Sequence, residues 1–293
     1  MINDGKKLTR RDFLKFLWHG FLGSTLLAAG GVGYSVFVEP SLFSVETIRL
    51  KLKKLPKSFS GLRVAQISDI HMGGWMNLDR FQQVADLVVA EKPDILLITG
   101  DFLLGHRFTD DIKQALDDLT KVLSPLAESI PSFAVLGNHD YWVDAEAVRK
   151  MLSLGGVIEL TNTVFTLRRG NDNLHLCGVD DVWDGDVRLE DVIARLEDDN
   201  VAILLAHEPD YADVSAVTGK FDLQVSGHTQ GGQVVIPFLG PPILPYLGQK
   251  YHTGLYKVRN MFQYTNRGVG MNRLAVRFNC RPEITIFVLD QDV

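Results

Sequence analysis

Five short, mostly apolar runs, each followed by residues able to hold a metal ion, set the tightest limit on how this chain can fold. The runs Leu62–Ile67, Ile95–Thr99, Phe133–Leu136, Val201–Ala206 and Phe221–Val225 read as buried strands. Amphipathic segments lie between them. Leu78, Phe81, Val84, Ala85 and Val88 recur on one face at a 3.6-residue period, and that helix has to end before Pro93. Further helices are predicted over Ile112–Leu123 and Ala145–Leu154. Upstream, residues 41–60 read as a linker and a first strand, in which Glu46–Leu52 alternates polar with apolar. Downstream, Gln233–Pro237, Met261–Thr265 and Ile284–Leu289 read as further strands with few helices between them. The order predicts an α/β fold: a four-layer sandwich of two mixed sheets flanked by helices, preceded by an N-terminal apolar helix.

That N-terminal segment carries its own signal. Thr9-Arg10-Arg11-Asp12-Phe13-Leu14-Lys15 precedes an apolar run from Phe16 to Val38, in which only His19 could carry charge. An arginine pair before such a run matches a bacterial twin-arginine export signal, which makes the twin-arginine export machinery an expected partner. The run is long enough to cross a bilayer. Basic residues before it and none within it place the N-terminus inside and the body on the periplasmic or extracellular side. Ala28-Ala29-Gly30 offers small residues but no clean A-x-A cleavage site, so an uncleaved anchor is expected ahead of a secreted product. The chain therefore divides into a signal or anchor over 1–40 and a single folded domain over 41–293.

Charge narrows the partners. The chain has 30 basic and 36 acidic groups; residues 1–40 hold five and three of them, which leaves a net of −8 on the rest. An acidic body argues against polyanion binding, so no nucleic-acid partner is expected. A phosphorylated substrate held at a cationic metal centre remains compatible with it. The two cysteines, Cys177 and Cys280, show no C-x-x-C spacing and read as unpaired buried small residues.

The residues after the strands carry the chemistry. They are Ser68-Asp69-Ile70-His71, Gly100-Asp101, Gly137-Asn138-His139-Asp140, His207-Glu208-Pro209-Asp210 and Gly227-His228-Thr229-Gln230-Gly231-Gly232. Loops at strand ends converge on one crevice in α/β folds. Mixed carboxylate, imidazole and carboxamide donors suit divalent Mn, Fe or Zn. One Gly-Asp or one histidine would carry no weight; five blocks in this order do.

The series D-x-H, G-D, G-N-H-D, H-E-P-D and G-H-x-x-G-G resembles the calcineurin-like metallophosphoesterase superfamily over roughly Leu62 to Ile236. The arginine pair, the His-Glu-Pro-Asp block and the tail Thr265–Gly270 with Asn279–Glu283 are similar to a bacterial branch of membrane-associated phosphodiesterases related to UDP-diacylglucosamine hydrolases. The resemblance implies two divalent ions, Mn first with Zn or Fe as alternatives. Asp69 and His71 would bind the first ion and Asp101 would bridge both; Asn138, His207 and His228 would complete the second site. His139 would lie just outside, near the leaving group, with Asp140 orienting or polarising it. The family usually has a second histidine in the last block, and this chain has Gln230, a weaker carboxamide ligand for the first ion. The implied reaction is hydrolysis of phosphodiester or pyrophosphate bonds by a metal-bridging hydroxide, on a phosphorylated small molecule or lipid of the envelope. Two alternatives stand beside it: a phosphomonoesterase acting on a nucleotide or phosphoprotein, and a scaffold that keeps metals without hydrolysis. The apolar, proline-rich stretch Ile236–Leu247 reads either as a packed surface loop or as a membrane-facing lip.

Overall fold

Strand β2 (Leu62–Ile67) sorts its side chains by parity. Leu62 and Val64 pack into the interior between two sheets, while Ala65 and Ile67 pack beneath helices. A computed structural model describes residues 9–196, 200–272 and 274–292. Strands β1 (Ser44–Leu52), β3 (Ile95–Thr99), β4 (Ser132–Val135), β5 (Ile158–Glu159) and β12 (Glu283–Gln291) join β2 in a mixed six-stranded sheet of order β1-β12-β2-β3-β4-β5. The second sheet is also mixed and six-stranded, built from β6 (Thr163–Arg169), β7 (Asp172–Gly178), β8 (Ala202–Leu205), β9 (Leu223–Ser226), β10 (Gly254–Val258) and β11 (Met261–Thr265) in the order β10-β11-β9-β8-β7-β6.

The sheets stack through Leu62, Val64, Leu97 and Phe133 on one side and Leu176, Ile203, Leu205 and Val225 on the other. Helices α2 (Leu78–Ala90), α3 (Asp110–Ser129) and α5 (Ala145–Leu154) cover the outer face of the first sheet. Asn77, Thr109 and Asp144 cap their N-termini with side-chain oxygens. The short helices α6 (Leu189–Ala194) and α7 (Ala212–Ser215) cover the second sheet. The four layers of the α/β sandwich are therefore present as the sequence indicates.

Two readings change. Gln233–Pro237 is not a strand: it makes isolated bridges from Val234 to Phe278 and from Ile236 to Gly240, and Gln233 sits at φ 57°. A proline and a left-handed residue leave that run without a ladder. The hairpin of β6 and β7, joined at Gly170-Asn171, was not anticipated.

Helix α1 (Arg10–Phe37) spans 28 residues, or about 42 Å at 1.5 Å per residue. Among the described residues it belongs to the one segment long and apolar enough to cross a membrane, Phe13–Ser41. The segment does not end cleanly at the body: Ser35, Glu39 and Pro40 are buried in it. The Ser35 carbonyl accepts from the Arg277 amide at 3.0 Å, and Glu39 Oε1 accepts from the Cys280 amide at 2.6 Å.

Candidate metal centre

The strands of both sheets deliver their next residues to one end of the sandwich. β2 leads into Asp69 and His71, β3 into Asp101, and β4 into Asn138 and His139 at the start of α4 (Asn138–Val143); β8 and β9 lead into His207 and His228. All are buried. The turns are tight enough to push Asp69, His71, Asp101, His228 and Gln230 to φ values of 50°, 51°, 57°, 71° and 50°. Left-handed backbone at so many non-glycine positions is costly and clusters where function demands it. Gly137 is required for a different reason: a Cβ there would run into Asp101 Oδ1 and would lie 2.7 Å from the His207 ring.

Asp101 is the centre of the cluster. Its Oδ2 lies 3.5 Å from His71 Nε2 and 3.3 Å from His207 Nε2. His71 Nε2 is also 3.8 Å from Asp69 Oδ1. Potential donor atoms of His71, Asp101 and His139 lie within 4.8 Å of one another, and so do those of Asp69, Asp101 and His207. Asp101 is common to both groups, as a bridging carboxylate has to be.

The hydrogen bonds around the rings test whether cations fit. His207 Nδ1 lies 2.6 Å from the Thr99 carbonyl. That contact puts the proton on Nδ1 and turns the Nε2 lone pair towards Asp101, with Nε2 buried and without a hydrogen-bond partner. His228 repeats the arrangement with the nitrogens exchanged: Nε2 is 2.7 Å from the Tyr246 carbonyl, and Nδ1 faces Asn138 Oδ1 at 3.1 Å. Two lone pairs facing each other at such distances need a positive charge between them. Divalent ions supply it, and the residues present fit them.

The electrostatics agree. Burial opposes ionisation of Asp101, but His207, His139 and His71 outweigh it and hold the carboxyl far below the usual range. His207 is desolvated too, yet the Asp101 carboxylate raises its pKa well above the ordinary value, so a positive charge is favoured at Nε2, a proton in the metal-free site or the ion that would replace it. Burial pushes His139 down to about 4, leaving its ring neutral.

Two expected roles look different in place. Asp140 does not polarise the His139 ring. Its carboxylate accepts the backbone amides of Asp101 and Gly137 at 3.0 Å each, of Phe102 at 2.9 Å and of Leu103 at 3.2 Å. Gln230 turns its amide nitrogen, not its oxygen, towards the cluster: Nε2 lies 2.7 Å from His71 Nε2, and Oε1 accepts from the Asn272 amide at 3.1 Å. Asn272 was not singled out in the sequence. It lines the pocket, and its Nδ2 lies 3.5 Å from His139 Nε2. The loop carrying it begins after β11, a strand that ends beside β9, and no apolar run leads directly into Asn272 to mark the position. Also unanticipated is a buried acid pair beside His207, in which burial and the neighbouring Glu208 push Asp181 up to about 10.

The pocket above the cluster, about 340 Å³, is walled by His106, Trp142 and Trp183. His106 stacks on Trp142 with centroids 5.0 Å apart, and Trp183 meets Trp142 edge-on at 5.7 Å. Cys177 and Cys280 are both free thiols.

Comparison with known proteins agrees with this geometry. A family model for calcineurin-like phosphoesterases matches residues 62–231, more than half of the chain. The chain is 34% identical over 286 residues to the metallophosphoesterase YkuE of Bacillus subtilis, covering 97% of this chain and 98% of that protein. It is 31% identical over 285 residues to the phosphodiesterase YaeI of Escherichia coli, covering 96% and 99%. It is 31% identical over 261 residues to a Danio rerio transmembrane protein with a metallophosphoesterase domain, covering 84% of this chain and 57% of that one. The chain belongs to the calcineurin-like phosphoesterase family and is a metal-dependent phosphoesterase.

Proposed function

We propose that the protein hydrolyses phosphodiester or pyrophosphate bonds of a lipid-linked or cell-envelope substrate at a dinuclear centre, with Mn²⁺ as the preferred metal. The observation that carries this reading is the convergence of Asp69, His71 and His207 on the Asp101 carboxylate, with Asn138 and His228 paired in the same pocket beneath aromatic walls. Two divalent ions held there would supply charge stabilisation and lower the pKa of water towards neutrality. Asp101 would offset their charge and set their spacing. His139 is held by the bond from its own backbone amide to Asp101 Oδ1, at 2.9 Å. Its neutral ring faces the pocket, where it can donate to the leaving oxygen or to the phosphoryl group.

The same reading makes α1 a membrane anchor, delivered by the twin-arginine machinery through Arg10 and Arg11, with the body on the periplasmic or extracellular side. The similarity to a protein named as transmembrane and the exposed apolar surface of α1 support an anchor. Turnover of bis(4-nitrophenyl) phosphate should exceed that of 4-nitrophenyl phosphate in the Mn²⁺-loaded protein and vanish with EDTA. Faster turnover of the monoester would favour a phosphomonoesterase. Replacing Arg10 and Arg11 by lysine should shield the body from protease added outside the inner membrane, and equal digestion of parent and variant would refute the export route.

A further inference from the structure

The pocket continues beyond the metal ligands. His228, Pro245 and Asn272 line both the metal pocket and a second groove of about 360 Å³ that runs away from it. Val234, Pro242, Ile243, Leu274 and Val276 wall that groove, and among the described residues no carboxylate, ammonium or guanidinium group lines it. An apolar trough leading from a metal centre matches a ligand with phosphate at one end and hydrocarbon at the other.

The outer wall of the groove belongs to the loop 236–247, which contains no charged residue. Phe238 is fully exposed, and Leu239 and Ile243 are 81% and 77% exposed. Such a patch marks a contact surface, and its position selects the contact. β1 is parallel to β12, and β12 is antiparallel to β2, so β1 starts at the end where β2 delivers Asp69. Helix α1 enters at that same end, through the bond from Arg277 to Ser35, and Tyr34 shares a cavity with Pro237 of the loop. The apolar helix, the apolar lip and the mouth of the metal centre thus lie together.

We infer that the groove seats one acyl chain of a membrane phosphodiester, which enters from the bilayer past Phe238 and Leu239. The inference rests on the phosphodiesterase reading above and narrows its substrate to a phosphodiester that carries an acyl chain. In the reaction a P–O ester bond breaks and a P–O bond to the oxygen of water forms. One proton of that water ends on the leaving oxygen and the other on the product phosphate or in solvent.

Methyl and octyl 4-nitrophenyl phosphates, used below micellar concentration with the full-length Mn²⁺-loaded protein, test this. The octyl ester should show a kcat/KM about 100-fold above the methyl ester. Ile243→Asp and Leu274→Asp should each lose roughly 10-fold on the octyl ester while changing the methyl ester less than about two-fold. Retained methyl-ester turnover shows that each variant is folded. Equal kcat/KM for both esters in the parent, or equal losses on both in the variants, overturns the inference. A parent inactive on both esters refutes the phosphodiesterase reading and the acyl groove with it.

Discussion

The Asp140 carboxylate accepts the backbone amide of Asp101 at 3.0 Å, and thereby holds the bridging carboxylate's own main chain in place. Its other bonds go to Phe102, Leu103 and Gly137, so one side chain ties the loop after β3 to the loop after β4. The left-handed φ of 57° at Asp101 is held at the junction. Burial and the Asp101 charge raise the Asp140 carboxyl to about 7, and the amides pull the other way.

Asp140→Asn tests this clamp. The carboxamide keeps the shape but replaces one acceptor oxygen with a donor, so two of the four amides face an NH₂ group. The expected cost is about 1–3 kcal/mol of stability, together with weaker metal binding because Asp101 loses its placement. Thermal melts and metal titrations read both. Unchanged melting and unchanged affinity would mean that Asp140 does not position Asp101.

Asp101→Asn and His139→Ala should separate metal binding from chemistry. Loss of the shared carboxylate should lower metal content and activity together. Loss of the neutral imidazole should reduce kcat by about 10²-fold with both metals retained. His139 offers a nitrogen within 4.8 Å of the potential donor atoms of His71 and Asp101. Loss of metal in His139→Ala would therefore assign it to the coordination shell, and near-normal kcat would remove it from the mechanism.

The buried acid pair predicts a pH dependence. Asp181 titrates at about 10 in the fold because of burial and Glu208, against an ordinary value near 3.9. The folded chain thus keeps a proton that the unfolded chain releases, and stability falls as pH rises from about 4 to 10. Asp181→Asn removes that linkage while keeping a polar group beside Glu208. Between pH 5 and pH 9 the metal-free variant should lose less melting temperature than the metal-free parent, by roughly 10 °C. Parallel melting curves across that range would show that Asp181 is ionised in the fold.

The candidate ligands were legible as a cluster because each follows an apolar run whose length and flanks announce a buried strand. The α/β layers followed from the same runs, with the helix periods between them. The strand predicted over Gln233–Pro237 failed because apolar composition alone does not supply a ladder partner, and the run is a loop against the groove. The β6–β7 hairpin carried a usable signal in Gly170-Asn171, a two-residue turn pair between alternating segments. The role of Asp140 had no such signal. Its partners Asp101, Phe102 and Leu103 lie 37 to 39 positions away, and a carboxylate's partners are a matter of tertiary geometry. The orientation of Gln230 is hidden for the same reason, since the amide that holds its oxygen belongs to Asn272.

Gln230 stands where the family pattern leads one to expect a histidine, and its orientation decides what substitutions there will do. Its oxygen is held by the Asn272 amide at 3.1 Å, while its nitrogen lies 2.7 Å from His71 Nε2. In that position the NH₂ group occupies the lone pair that His71 would give to the first ion. In this orientation Gln230 would compete with the metal instead of ligating it, and binding there would have to displace one hydrogen bond. Gln230→Ala should bind the first ion as tightly as the parent or several-fold more tightly. Gln230→His removes the competitor and adds an imidazole, and should tighten the site by about 10-fold or more, where each 1.4 kcal/mol is a factor of ten. Titrations of the parent and both variants with Mn²⁺, followed by calorimetry, give the order. Weaker binding in Gln230→Ala would show that the carboxamide rotates and coordinates through its oxygen, releasing the Asn272 amide when metal arrives.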